Sequence, residues 1–324
     1  MVTLRDTIRG LYGSMQVILR VAEDSYLYVG AGEFELQVPR ERVSSARTIS
    51  DLRTLSNQVR IEYSDFIRMG GRIAIPGSTL KGVVRSRLEM LLKDSCFIRG
   101  RGPLRELPQK GTHGWRHARI WKESVMKERK RTCDLSGRGV VAKVAICPVC
   151  DLLGTAGLVS RVYFGNFYMA KGNTERIELE YEEKIVAVTP KSEFTGEIAL
   201  QGITIEELGL ILIGLRVLEK KPILVGKHKY KKVRDSQGRE LWFGRVFASV
   251  EEITLSDLSL QYIKEQNLGL KDYRRIKGDD LEKLMSTAVK RALQSYKFEF
   301  DVDVESLTVK FDEVERVEQL SKEG

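Results

Sequence analysis

"RIAIPGSTLKGVVRSRLEMLLK", residues 72–93, is the stretch on which the fold turns. Arg72 to Ile75 alternate like a strand, and Pro76-Gly77-Ser78 make a tight turn. Leu80, Val83, Val84, Leu88, Leu91 and Leu92 then recur at the i, i+3, i+4, i+7 spacing of one buried helical face. The spacing predicts a helix over 78–94 with Ser78 as its N-cap. Lys81, Arg85, Glu89 and Lys93, four apart, fall on the other face. A helix start offers unpaired N–H groups and a partial positive charge, which take a phosphate as readily as a capping hydroxyl. Gly77, Ser78, Lys81 and Arg85 therefore read either as a well-capped helix or as a phosphate cradle. Gly82 is costly inside a helix, which fits close approach by a backbone or a ligand.

Outward from that helix, 15–30 reads as two strands or one bent strand, and 31–71 as a long irregular loop with a short helix near 49–56. Residues 160–170 are strand-like. Residues 183–201 read as two strands around Pro190-Lys191. A second amphipathic helix covers 205–220, short strands cover 222–226 and 244–255, and a further helix covers 279–296. Without the irregular inserts the order is strand, helix, strand, strand, helix, strand. That is the split βαβ of an α+β, ferredoxin-like (RRM-like) core with large insertions.

The chain has 324 residues, with 54 Lys and Arg against 45 Asp and Glu, a net charge of +9 that favours polyanionic partners. Residues 99–132 hold 11 Lys or Arg and 3 Asp or Glu, interleaved with Trp115, Trp121, His113 and His117. Cations among aromatics suit nucleic acid, where phosphates pair and bases stack; a solvated surface loop is the plainer reading. No run of about 18 apolar residues exists and the first residues lack an apolar core, so no membrane span or secretory leader is expected. The expected compartment is the cytoplasm.

Cys147-Pro-Val-Cys150 has the spacing of a zinc knuckle. Cys133, Cys96, His113 and His117 are candidates to complete four ligands around a structural Zn2+, the alternative being plain buried thiols. Residues 226–246 open on Gly226 and crowd Lys227, Lys229, Lys231, Lys232 and Arg234 together. This is either an exposed hairpin tip or a basic loop on a phosphate backbone. Glu33, Glu35, Asp51, Glu62 and Asp65 lie in or near the 31–71 loop, where a carboxylate with a divalent metal has the chemistry to cleave RNA. Scattered surface acids are the commoner explanation.

Four segments taken together resemble the RAMP proteins, the ferredoxin-like subunits of CRISPR effector complexes. They are IPGSTLKGVVRSRLE (75–89), CPVCDLLGT (147–155) with SRVYFGNF (160–167), VTPKSEFTGEI (188–198), and ILVG with its basic loop (223–234). The set is most similar to the repeated backbone subunit of type III (Csm or Cmr) complexes and covers most of residues 15–255. The resemblance implies one RAMP domain over 1–324. Its core would be about 15–30, 72–94 and 158–255, with a palm loop at 31–71 and a lid, zinc-bound in some relatives, at 95–157. A thumb hairpin would lie at 170–190 and a helical and strand extension at 256–324. It implies that Gly77, Ser78, Lys81, Arg85, Gly226, Lys227, Lys229 and Lys231 hold guide RNA, and that Cys133, Cys147, Cys150 and Cys96 hold zinc. The implied partners are guide (CRISPR) RNA, complementary target RNA, other effector subunits and further copies of the chain in a filament. Catalytic relatives carry an aspartate before the IPGS turn; Tyr63 stands at that place here, and Asp65 two residues later is the candidate, with Mg2+ or Mn2+. Leu153 replaces the phenylalanine usual after the cysteine pair. The alternatives are a stand-alone RAMP endoribonuclease that processes guide precursor, and an RNA-binding module unconnected with CRISPR.

Overall fold

Strand β1 (Leu11–Val21) buries Leu11, Met15, Val17, Leu19 and Val21 and leaves Gln16 and Arg20 exposed, the period-two pattern of a half-buried strand. It lies at the centre of the main sheet. β3 (Glu193–Ile203) pairs antiparallel along one edge, in register Ile18↔Thr195, and β4 (Arg245–Leu255) along the other, in register Ile18↔Ser249. β2 (Phe167–Lys171) adds antiparallel to β3, giving the order β4–β1–β3–β2. Ile223–Leu224 extends the sheet beyond β4, and Arg72–Ile75 with Arg68–Met69 extend it beyond β2, making seven strands; Val162–Phe164 against β3 and Arg275–Ile276 against β4 bring it to nine.

Helix α1 (Gly77–Leu91) precedes β2 in the chain, and α2 (Ile205–Leu215) joins β3 to β4. α2 starts on a capping box: the Thr204 hydroxyl accepts from the Glu207 amide at 3.2 Å while Glu207 accepts from the Thr204 amide at 2.8 Å. α1 packs on α2, and α2 on α3 (Asp279–Ser295), and their buried leucines, isoleucines and valines form one core with the inward residues of β1, β3 and β4. The architecture is mixed α+β. In this computed structural model of the chain the described residues are 9–37, 43–97, 104, 106–112, 114–128, 133–136, 146–180 and 183–322.

Two expectations change. The 31–71 segment is not an irregular loop. Gly30–Gln37 and Arg60–Phe66 pair antiparallel, and the second of them runs parallel to Lys184–Val188 in a four-stranded sheet completed by Thr174–Glu178. The short helix within it is present as Ile49–Ser56, capped by Thr48 and Asp51. Ser78 is not the N-cap of α1. That place belongs to Pro76, and no side-chain oxygen caps the helix from there.

A last helix, α4 (Glu313–Lys322), is tied down by buried charge. Glu313 meets Arg87 of α1, and Asp312 meets the fully buried Arg216 at 3.0 Å. Glu219 lies 2.7 Å from Arg216. Among the described residues no helix is long and apolar enough to cross a membrane.

Candidate functional site

The start of α1 is half open. Gly77 is buried, and a side chain there would bring its Cβ to 1.9 Å from the Phe164 carbonyl oxygen, so the position takes only glycine. Its amide donates to Asn166 Oδ1 at 3.1 Å. Thr79 and Leu80 donate back to the Pro76 carbonyl. Ser78 is exposed, and its amide has no hydrogen-bond partner among the described residues. Lys81 is half-buried without a carboxylate partner among the described residues; burial, then the neighbouring Arg85 charge, lower its pKa. Gly82 is exposed with open space where its Cβ would be.

Arg85 points elsewhere. Its guanidinium donates to the Gly154 carbonyl, lies 3.4 Å from Glu89 and reaches Cys150 Sγ at 3.8 Å, with 11% of the side chain exposed. It serves the cysteine cluster rather than the open helix start. Sequence spacing placed it beside Lys81 and carried no sign of that partner.

The loop after Ile223–Leu224 forms the facing wall. Gly226 has φ +80°, and a Cβ there would lie 2.3 Å from the Tyr28 carbonyl oxygen. The Lys227 amide donates to that same oxygen at 2.9 Å, which pins the loop, while its ammonium pairs with Glu183. Lys229 turns inward to the Leu224 carbonyl at 3.2 Å, and burial lowers its pKa to about 8. Gly226 and Lys229, with Thr79, Gly82 and Ser86 of α1, line a cavity of about 220 Å³. The same cavity is lined by Trp121, Tyr230 and the Arg87–Glu313 pair, and the open space over Gly82 beside the half-buried Lys229 cation is a site for an anion of matching shape. Lys227 lines a separate cavity of about 480 Å³ with Tyr28, Ser64 and Glu183, and Lys231 faces another groove on the far side of the loop.

The four cysteines converge. Cys96, Cys133, Cys147 and Cys150 are all buried and unoxidised, and their sulfurs all lie within 4.8 Å of one another. Cys96 Sγ is 3.5 Å from Cys150 Sγ and 3.7 Å from Cys147 Sγ. Four thiolates around one Zn2+ at roughly 2.3 Å stand about 3.8 Å apart, so the set fits a tetrahedral site. The Cys150 amide donates to Cys147 Sγ, and the Cys147 amide to Cys133 Sγ, each at 3.4 Å, as a thiolate knuckle requires. Hydrogen bonds, from Cys150 first and then Cys96, hold the Cys147 thiol far below its usual range, while the same bonding pushes Cys150 up to about 12. One thiolate shared among neighbouring thiols is the charge a metal ion would complete. His117 does not converge with the cysteines, and its Nδ1 lies 3.2 Å from the Tyr230 hydroxyl; His113 lies outside the described residues.

Asp65 stands apart from a metal site. One oxygen takes the Phe66 amide at 2.8 Å, and the other meets Arg68 Nε at 3.0 Å. Among the described residues, the cysteines are the one cluster of three or more potential metal ligands. Glu33 and Glu35 have side chains outside the description. Trp121, read from the sequence as a stacking surface, is buried against Phe311 with ring centroids 4.3 Å apart.

A family model described as the RAMP superfamily matches residues 24–286. The crystal structure of Thermofilum pendens Csc2 aligns over 100% of this chain and 93% of its own, at 14% identity and a TM-score of 0.39. No curated protein matches the chain.

Proposed function

The chain belongs to the RAMP superfamily, and from that premise we propose that it is a guide-RNA-binding backbone subunit of a type III CRISPR effector complex. The order β4–β1–β3–β2 with intervening helices supports reading the core as ferredoxin-like. One observation carries the function. The flank of α1 at Thr79, Gly82 and Ser86 faces Gly226 and Lys229, which has no carboxylate partner among the described residues, across a narrow cavity, beside exposed Ser78 and half-buried Lys81. A phosphodiester backbone takes donors and cations in that arrangement, with no demand on base identity. Lys227, paired with Glu183, would join only by exchanging that carboxylate for a phosphate.

In this reading the hairpin Thr174–Glu178 and Lys184–Val188 is the thumb set against the guide–target duplex. Cys96, Cys133, Cys147 and Cys150 hold structural Zn2+, which closes the 95–157 insert on itself just beyond the end of α1. The effector partners, the filament of further copies and the cytoplasmic setting follow from the same reading. Asp65, engaged by Arg68, gives cleavage with Mg2+ or Mn2+ no added support.

Gly82→Trp tests the cavity directly, because its Cβ meets nothing and the change fills only solvent space. Oligonucleotide anisotropy on RNA-free protein should show at least tenfold weaker binding with an unchanged melting temperature. Undiminished affinity sinks the proposal. Incubating the assembled complex with complementary RNA and Mg2+ tests cutting, and Asp65→Ala tests whether that residue is responsible.

A further inference from the structure

The largest concavity among those described lies behind the Gly226 loop, away from α1. It encloses about 680 Å³, within the usual range for ligand-sized sites. Three separate elements meet there: the hairpin Val233–Arg234 with Glu240–Phe243, helix α4, and the insert helix Trp115–Ile120. Its cations are Arg116, Lys231, Lys232, Arg234, Arg245 and Lys322.

Five of these cations divide into two sets, and Lys322, exposed at the end of α4, belongs to neither. Arg245 is 7% exposed, lies over the Trp242 ring at 4.1 Å and is held by Asp24 at 2.6 Å and Glu318 at 2.7 Å. Lys232 and Arg234 share Glu240, at 3.0 Å and 3.3 Å. Those three build the wall. Arg116 and Lys231 line the same space with no carboxylate partner among the described residues, and burial pulls the Arg116 guanidinium below its usual pKa. Among the described residues of the basic 99–132 stretch, Arg116 is the one that lines this groove.

We propose that this groove is a second binding site for single-stranded nucleic acid, with Arg116 and Lys231 on successive phosphates and a base beside the half-buried Trp242. The chemistry favours a strand over a small anion, because a groove with two free cations and an aromatic wall suits a phosphate backbone with bases. It favours a strand over an acidic peptide, because Trp242, with Arg245 at 4.1 Å and Lys232 at 5.4 Å over its ring, gives a base a wall of aromatic and cation to pack beside that a carboxylate side chain would not use. The site deepens the RNA-binding reading and rests on it only for the class of ligand.

The test uses full-length chain freed of nucleic acid, with fluorescein-labelled oligouridylate and oligothymidylate as probes and polyglutamate as competitor. Arg116→Gln with Lys231→Gln should weaken oligouridylate binding about tenfold. It should also flatten the log–log salt dependence by about 1.4, at ~0.7 per phosphate contact on a single strand. Lys81→Gln, at the start of α1, should add its loss independently. A 4-thiouridine probe should cross-link to the tryptic peptide Glu240–Arg245. If the double variant keeps its affinity and slope while Lys81→Gln loses both, the groove is no nucleic-acid site and the guide-binding reading stands. If the double variant loses affinity while Lys81→Gln does not, the start of α1 fails as a binding site and the groove stands. Polyglutamate displacing the probe at equal charge while no cross-link forms would assign the groove to an acidic protein and overturn the proposal. Oligothymidylate binding as tightly as oligouridylate supports the site and marks it as blind to the 2′-hydroxyl.

Discussion

Lys229 sits in the cavity wall with a carbonyl oxygen as its hydrogen-bond acceptor and its pKa lowered to about 8. Its folded pKa lies below the unfolded value, so between pH 8 and 10.5 the unfolded chain binds more protons. Stability attributable to this residue therefore rises with pH across that window and is absent below it. Lys229→Met should raise stability at pH 7 by on the order of 2 kcal/mol, with each pKa unit worth about 1.4 kcal/mol and partial exposure reducing the total. The gain should vanish near pH 10.5, as urea denaturation at both pH values will show; a gain unaltered by pH would point to packing instead. The same variant should lose RNA affinity, so stability and function pull apart at one position. Arg85 carries the opposite expectation. Arg85→Met should leave oligonucleotide affinity near that of the native chain and release zinc 10- to 100-fold more readily, as removal of a residue that positions a metal ligand does. Chelator competition with a zinc-sensitive dye measures it. The cysteine spacing was legible because CxxC is a local signal. The Arg85–Cys150 contact was not, because it joins residues 65 apart on two elements whose approach no local pattern encodes.

Helices were the elements most plainly written in the sequence. α1 and α3 repeat apolar residues over 15 and 17 residues, long enough for the period to stand out. The start of α1 was misread because Ser78 is the better capping residue by type, yet Asn166, 89 positions away, takes the Gly77 amide. The sequence offered the turn and left out the neighbour that displaces its natural cap. Gly30–Gln37 was missed because its glycines mimic a loop, and because its partner strand starts at Arg60. Gly77→Ala drives a methyl group into the Phe164 backbone, where no rotamer gives way. It should cost about 3 kcal/mol, the upper range for overpacking, seen as a lower denaturant midpoint with the slope unchanged.

At the scale of the molecule, α4 is fastened to the core by charge. Arg87 and Glu313 are buried and lie 226 positions apart. Burial alone would raise the Asp312 pKa, but Arg216 and Lys221 outweigh it and hold the carboxyl below its usual range. That stabilisation is complete above the ordinary aspartate pKa and fades as pH falls through the depressed value. Glu313→Gln should cost about 3–5 kcal/mol by stranding Arg87, and Arg87→Met with Glu313→Leu should recover most of it. A thermal-denaturation double-mutant cycle reads the coupling; strictly additive losses would reject it. The strand–helix order of the core was visible beforehand. α4 was read only as part of an extension, since a 10-residue amphipathic run says little about where it docks.

β1 is flanked on one side by residues 193–203 and on the other by residues 245–255. Synthesis runs from the N-terminus, so the strand at the middle of the sheet leaves the ribosome first and its neighbours emerge long afterwards. Throughout that interval a ribbon carrying Leu11, Met15, Val17, Leu19 and Val21 has open hydrogen-bonding edges and nothing to hide its oily side. Nascent chains halted short of residue 245 should be sensitive to protease and captured by holdase chaperones, and those halted well past residue 255 should resist both.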